Sequence, residues 1–269
     1  MAAPGPGTVR YGGETSCLAL GGNGGGGLPT LVLDGGTGLR RLTRMLDGQP
    51  FQGALVLTHL HWDHVFGLPF FSAGDRPEGR VRLLLPEQGH PAQELLGQVM
   101  SPPYFPIDPQ GLVGDWTFDT YEEGVIEAGG FQVTAREVPH GGGRTMGLRI
   151  SDGHSSMAFV PDHAPHFAGP GEDGLGELHP AILELAQGVD LLVHDAQYTG
   201  DELPSRWRFG HAAAEYAVRL AEQCGVGRML MFHHAPDRDD DALDAMLERT
   251  RSLTTIPVDA AVEGDTITL

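Results

Sequence analysis

Lysine is absent from this chain of 269 residues, so all 17 of its basic residues are arginine. Acidic residues number 36, which gives a formal net charge of -19. A protein this acidic repels nucleic acid unless a local basic patch or a metal ion overrides its field. The composition therefore argues against a nucleic-acid substrate.

Cysteine is almost as scarce, since Cys17 and Cys224 are the only two. Their number and separation exclude a disulfide scaffold and any zinc module built on cysteine. Long apolar runs are also missing, and no stretch approaches the roughly 18 residues that would predict a membrane span. The first residues have no cationic start followed by an apolar run, which argues against a signal peptide and favours a cytoplasmic protein.

Short apolar segments bounded by glycine and proline alternate with helical patterns along the chain. Strands followed by helices, twice over, predict one domain over residues 1–269 with two β-rich layers and helices outside them. Strands are predicted at 8–20, 28–34, 53–58, 81–85, 131–138, 146–151, 156–161, 190–194 and 227–232, with strand character in 256–269. Helices are predicted at 39–46 (capped by Thr37), 180–187, 211–224 and 240–251. The glycine-rich segment 21–27 is predicted to join the first two strands as a hairpin turn.

The strongest chemical signal is the run His59-Leu60-His61-Trp62-Asp63-His64, which follows the apolar strand 53–58. Side chains two positions apart in an extended segment point the same way, so His59 and His61 can bind one ion. As the chain turns into a helix, Asp63 and His64 swing toward a second position. This density of ligand types favours a metal site over a polar loop that happens to be rich in histidine.

Three other apolar strands also end at a residue that can bind a metal. His140 follows 131–138, Asp162 follows 156–161 and His233 follows 227–232. Each alone would be unremarkable, because a lone histidine is usually hydrogen-bonded within the fold and a lone aspartate usually caps a turn. Three ligand types at the same relative place favour a shared metal site.

These motifs resemble the metallo-β-lactamase superfamily, an α/β fold in which two mixed β-sheets and outer helices form a four-layer αββα sandwich. The matching segments are LVLDGGTG, THLHWDH, VPHGGG, FVPDH and MFHHAP, in that order. The resemblance implies a binuclear centre whose first site is His59, His61 and His140, whose second is Asp63, His64 and His233, and whose bridging ligand is Asp162. Asp34 would orient the metal-binding loop, while the alternative is that GGTG after Asp34 cradles a phosphate.

The last third of the chain resembles the phosphodiesterase branch of that superfamily, which includes ribonuclease Z and the phosphoribosyl cyclic phosphodiesterase. The segments are DLLVHDAQY, which contains Asp195, and Phe209-Gly210-His211-Ala212. The resemblance implies that Asp195 accepts a hydrogen bond from His211 and fixes its tautomer. The alternative is that His211 only caps the helix that it opens. Ala212 replaces the usual serine or threonine, Asp195 replaces a glutamate, and no tRNA-binding arm is inserted between 140 and 190.

The resemblance implies a metal-dependent phosphodiesterase that attacks a small or cyclic phosphodiester with a metal-bridging hydroxide. Asp63, His211 and Asp195 are its candidate catalytic residues. Ligands rich in imidazole favour two zinc ions, with manganese or iron as alternatives. Two other hypotheses remain: a hydrolase of a lactone, thioester or β-lactam on the same metals, and a non-catalytic binding protein. Homodimers are common among members of the superfamily, so a homodimer is one expected assembly.

The remaining histidines are assigned smaller roles. His234 is expected to support the site rather than bind metal, because it points away from His233 in an extended segment. His163, His166 and His179 are expected to be exposed to solvent, and His194 carries no signal of its own. Arg144 is the nearest candidate for a contact with phosphate.

Overall fold

A computed structural model describes residues 2–21 and 27–269, which form two compact units. We call Thr15–Glu122 with Glu127–Phe131 the amino-terminal unit. Met1–Glu14, Glu123–Ile126 and Gln132–Leu269 make up the carboxy-terminal unit. Two mixed β-sheets, of five and seven strands, are accompanied by helices, which confirms the predicted class of fold.

The five-stranded sheet belongs to the amino-terminal unit. Its strands follow one another in chain order: β1 (Leu18–Leu20), β2 (Leu31–Leu33), β3 (Gln52–Val56), β4 (Arg80–Pro86) and β5 (Asp115–Tyr121). Only the β1–β2 pair is antiparallel among these neighbours. Strand β2, which lies between β1 and β3, is buried along its whole length. The helices of this unit are α1 (Leu39–Met45), α2 (Trp62–Val65) and α3 (Ala92–Gly97).

The seven-stranded sheet has the order β12-β11-β10-β9-β8-β7-β6. Its strands are β6 (Gly124–Ala128), β7 (Phe131–Glu137), β8 (Met146–Ser151), β9 (Ser156–Val160), β10 (Leu191–Asp195), β11 (Met229–Phe232) and β12 (Val258–Ala260). The strands from β9 to β12 are parallel, so their carboxyl ends meet at one edge of the sheet, where ligands commonly bind. The helices of the carboxy-terminal unit are α4 (Pro165–Ala168), α5 (Pro180–Ala186), α6 (Leu203–Arg206), α7 (Ala214–Cys224) and α8 (Asp240–Arg251).

Several predicted elements are shorter in the structure. Only Leu18–Leu20 of the predicted strand 8–20 is a strand, because a 3₁₀ turn and the left-handed Gly12 (φ 99°) occupy its first part. Only Val258–Ala260 is a strand within 256–269. The predicted hairpin turn 21–27 falls mainly on residues 22–26, which lie outside the described residues.

Two helix starts were also predicted wrongly. Thr37 does not cap α1: Gly38 precedes the helix, and Thr37 Oγ1 accepts the Thr15 N–H at 2.9 Å. His211 does not open α7, which begins at Ala214 after the N-cap residue Ala213. Strands β5 and β6 had not been predicted. Among the described residues, no helix combines the length and the apolar character that crossing a bilayer requires.

Candidate metal centre

The amino-terminal unit gathers three of the predicted ligands directly after β3. The ring centroids of His59 and His61 are 4.5 Å apart, and those of His59 and His64 are 4.1 Å apart. Strand β3 ends at Val56, so His59 and His61 lie in the extended segment before α2. Helix α2 itself carries Asp63 and His64. The local turn from strand to helix therefore brings the histidines of the motif into one group.

Asp34 supports this group from the end of β2. Its fully buried carboxylate accepts hydrogen bonds from the Thr58 N–H (2.8 Å), the Thr58 hydroxyl (2.9 Å), the Ser16 hydroxyl (2.7 Å) and His64 Nδ1 (2.7 Å). The Thr58 hydroxyl donates its one proton to Asp34. Toward Nδ1 of His59, 3.1 Å away, it can therefore only accept a hydrogen bond. Both imidazoles therefore present the lone pair of Nε2, the usual arrangement behind a metal-binding histidine.

The glycines that follow Asp34 allow a close approach of two backbones. A Cβ at Gly36 would overlap the carbonyl oxygen of Asp63, and a Cβ at Gly67 would overlap that of Gly36. The Gly35 N–H donates to the His64 carbonyl, and the Gly67 N–H donates to the Gly35 carbonyl, each at 2.8 Å. The GGTG segment is thus packed against the segment that carries Asp63 and His64, and this close approach accounts for the glycine at position 36 without a phosphate.

In the carboxy-terminal unit, Asp162 lies among histidines at the carboxyl edge of the sheet. Its carboxylate oxygens are 3.4 Å from Nε2 of His140 and 3.4 Å from Nε2 of His233. Asp162, His211 and His233 each offer a ligand atom within 4.8 Å of one another, a separation that would suit a metal ion. His140 and Asp162 are buried at 6% and 2% exposure.

Hydrogen bonds at Nδ1 also orient the histidines of this unit. His140 Nδ1 donates to the carbonyl oxygen of Gly210 at 2.7 Å, which leaves Nε2 toward Asp162. Nε2 of Gln197 lies 2.8 Å from Nδ1 of His233, and with the amide turned by 180° its oxygen would accept a proton from Nδ1. Burial lowers the pKa of His140, so its ring is held in the neutral form that metals bind.

The predicted hydrogen bond between Asp195 and His211 is present, with Nδ1 of the ring 2.9 Å from the carboxylate. Asp195 is fully buried and also accepts the backbone N–H groups of His163 (3.0 Å), Gln197 (3.0 Å) and Ala212 (3.3 Å). The His211 ring stacks on that of His233 at a centroid distance of 4.9 Å. Asp195 therefore engages the His211 ring through Nδ1.

The expectation that His163, His166 and His179 are exposed was wrong. His163 is fully buried, and His166 and His179 are half-buried. His194, to which the sequence assigned no role, is fully buried as well. The five residues of β10 are all buried, so a histidine inside LLVHD could have been assigned to the interior. Arg144 stays a candidate for a contact with phosphate, and it donates to the carboxylate of Glu137 at 2.9 Å.

Comparisons with known proteins agree with this arrangement. A family model described as the beta-lactamase superfamily domain matches residues 30–234, well over half of the chain. The chain belongs to this superfamily. It is 28% identical over 267 residues to the ribonuclease Z of Lacticaseibacillus casei (strain BL23), covering 81% of this chain and 79% of that protein.

Two solved structures show the same metallo-β-lactamase fold. The short form of human tRNase Z gives a TM-score of 0.66 at 16% identity and covers 99% of this chain and 96% of its own. A diphosphatase of the PhnP family gives a TM-score of 0.64 at 19% identity, with coverages of 89% and 79%. This metallo-β-lactamase superfamily member is a metal-dependent hydrolase, and the predicted family is confirmed.

Proposed function

We propose that this superfamily member is a phosphodiesterase that hydrolyses a small or cyclic phosphodiester. The proposed centre would hold two divalent ions, as the family resemblance implies. Asp162 would bridge the ions, and the remaining ligands are His59, His61, Asp63, His64, His140 and His233.

The donor set is suited to zinc. In the amino-terminal unit, Nδ1 of His59 and His64 contacts Thr58 and Asp34. In the carboxy-terminal unit, Nδ1 of His140 donates to a backbone carbonyl. Neutral imidazoles fixed in this tautomer, together with carboxylates, are typical zinc ligands. Manganese and iron accept the same donors, so the proposal names zinc first on donor chemistry and not on affinity.

The single observation that carries the phosphodiesterase proposal is the Asp195–His211 pair beside Asp162. The His211 ring stacks on the proposed ligand His233, and its Nδ1 lies 3.8 Å from the carboxylate of Asp162. A buried carboxylate behind Nδ1 supports a metal ligand as well as a proton donor, and His211 is assigned the second role because the family resemblance places it outside the ligand set. Held there, the ring can take up a second proton, and Asp195 stabilises the resulting imidazolium.

These residues divide the reaction between them. Two bound divalent ions supply a water of lowered pKa as the nucleophile and neutralise charge on the phosphoryl group. Asp63 would orient the attacking water. His211 would donate the proton on Nε2 to the leaving alkoxide while Asp195 keeps the proton on Nδ1 in place. Positioned proton transfer of this kind contributes about 10²–10⁴-fold to rate.

The test compares two diesters with zinc-loaded protein. Bis(p-nitrophenyl) phosphate releases an acidic phenol that needs little protonation, whereas a 2′,3′-cyclic nucleotide releases an alkoxide that needs a full proton. His211→Ala should slow the cyclic diester by about 10²-fold or more and the aryl diester much less. The exposed His154→Ala is the matched control and should change neither rate.

Assays with other substrates provide the results that would contradict the phosphodiesterase proposal. A lactone and a β-lactam hydrolysed independently of His211, with no diester turnover, would replace this proposal with a carbonyl hydrolase. The relative named ribonuclease Z and the solved structure named tRNase Z make a tRNA a further substrate to include. Preference for a tRNA over the small diesters would contradict the assignment of a small substrate.

A further inference from the structure

Three histidines outside the proposed ligand set form a continuous row in the carboxy-terminal unit. Nε2 of His179 lies 3.0 Å from Nε2 of His163, and Nδ1 of His163 lies 3.1 Å from Nε2 of His194. Nδ1 of His194 is 2.6 Å from the carbonyl oxygen of Asp195. The buried ring of Tyr216 packs against both His163 and His194, at 5.4 and 5.8 Å between centroids. We call these three residues the histidine row.

For neutral rings, the carbonyl at the end of the row fixes the direction of every hydrogen bond in it. A carbonyl oxygen only accepts, so Nδ1 of His194 carries its proton. The neutral His194 ring then accepts at Nε2, and Nδ1 of His163 must be the donor. His163 in turn accepts at Nε2 from the Nε2–H of His179. Desolvation lowers the pKa of His163 and His194 and lowers that of His179 to about 4, which is consistent with three neutral rings.

A proton path is excluded by the same geometry. The row ends at a peptide carbonyl, and a peptide carbonyl does not pass a proton onward at neutral pH. The row can instead fix the position of Asp195. Its last hydrogen bond holds the carbonyl of Asp195, and the backbone N–H of His163 holds the carboxylate of Asp195 at 3.0 Å.

We propose that His179, His163 and His194 are positioning residues that hold Asp195 in place behind His211. His163 contacts Asp195 through its backbone, and its own ring is fixed from one side by His194 and from the other by His179. His179 precedes α5 as its N-cap residue, so the row connects the start of that helix to the backbone carbonyl of Asp195, while the His163 N–H reaches the carboxylate. The catalytic consequence rests on the proposed function, whereas the row itself does not.

The arrangement of protons in the row is tested directly by long-range ¹H–¹⁵N spectra of the zinc-loaded protein at neutral pH. His163 and His194 are expected in the Nδ1–H tautomer, and His179 in the Nε2–H tautomer. An Nε2–H tautomer at His163 or His194, or a charged ring at either, would overturn the row. This readout does not depend on any substrate.

The positioning role is tested at His179, the member of the row most distant from His211 along the hydrogen bonds. Gln places an amide N–H near the position of Nε2, so His179→Gln keeps the donor, whereas His179→Leu removes it. His179→Leu should lower kcat for a cyclic diester about tenfold, with KM unchanged and a smaller effect on the aryl diester. His179→Gln should restore the rate.

Two results would contradict the positioning role. Equal losses on both diesters, or a lowered melting temperature with full kcat, would show that His179 only stabilises the fold. His154→Leu on the exposed loop controls for the loss of a histidine. If the wild-type protein hydrolyses no diester while the tautomers are as expected, the proposed function fails and the histidine row stands.

Discussion

The carboxylate of Asp34 lies 2.7 Å from Nδ1 of His64, and neither side chain is exposed to solvent. The same carboxylate takes both polar hydrogens of Thr58, whose hydroxyl contacts Nδ1 of His59. One buried acid therefore sets the orientation of two proposed ligands. Asp34 orients His59 and His64 and is not itself a proposed ligand, since both of its oxygens already accept hydrogen bonds.

Asp34→Ala should lower both stability and metal content. It leaves buried donors of Ser16, Thr58 and His64 without their acceptor, and such groups cost about 1–3 kcal/mol each when unsatisfied. We expect the free energy of unfolding of the metal-free protein to fall by at least about 3 kcal/mol in urea titrations. Asp115→Ala, at an exposed position of β5, is the control. Full zinc content in the Asp34 variant would argue against its orienting role.

A methyl group at Gly67 should disturb the metal-binding loop. Its Cβ would overlap the carbonyl oxygen of Gly36, and neither backbone can move without displacing Asp34 or α2. Gly67→Ala should therefore be poorly folded or release zinc. Gly97→Ala is the matched change, because a Cβ there meets nothing within 4 Å and replaces a helical glycine. Gly97→Ala should leave the free energy of unfolding unchanged or raise it by up to about 1 kcal/mol.

Gly210 and Gly225 offer a second matched pair. Both have left-handed backbones, with φ of 87° and 62°, so alanine at either position carries a conformational cost of about 1 kcal/mol. Only at Gly210 would the new Cβ press on His140, 3.1 Å from its Nδ1. Gly210→Ala should thus weaken zinc binding, measured by competition with a chelator, whereas Gly225→Ala should not. Equal zinc affinities of the two variants would show that the Gly210 turn does not position His140 for zinc.

The stability of the metal-free protein should fall with acid partly through His179. Burial lowers its pKa to about 4, from an ordinary histidine value of 6.5. Between these values the unfolded chain binds a proton at this ring and the folded chain does not, so stability is lost as pH falls from 6.5 toward 4. One proton corresponds to at most about 1.4 kcal/mol per pH unit, and solvent at the half-buried ring reduces this.

His179→Gln removes that titration and keeps the hydrogen-bond donor. Urea unfolding at pH 7, 5.5 and 4.5 should show a shallower loss of stability for the variant than for the wild-type protein. The difference between the two slopes isolates His179, because the carboxylates and other histidines are the same in both. Parallel slopes would mean that the His179 pKa is not depressed in the folded state.

Much of the fold could be predicted because local patterns were strong. The strand Met146–Ser151 and the helix Asp240–Arg251 have the bounds that their apolar periodicity and acidic first turn predicted. Strand β5 was missed because its side chains alternate between exposed and half-buried, so it lacks the apolar run of its neighbours. Thr37 does not cap α1 because its hydroxyl accepts a hydrogen bond from the backbone N–H of Thr15, a residue distant in sequence.

The candidate site divides in the same way. His59, His61 and His64 could be found because their spacing along the chain already places them together. The contact of His163 with His194 spans 31 residues and exists only because β9 and β10 pair in parallel. A pattern read along the sequence carries no information on such a pairing, and solvent exposure was therefore the wrong expectation for His163.

His233 has a left-handed backbone at the end of β11, with φ of 57°. Such a conformation costs a non-glycine residue about 1–3 kcal/mol, and glycine or asparagine would relieve it. Selection for thermal tolerance alone, in the metal-free protein, should therefore recover replacements at position 233. Selection for turnover should remove them again. If His233 binds metal as proposed, this strained backbone is a cost in stability that the protein keeps for the sake of one ligand.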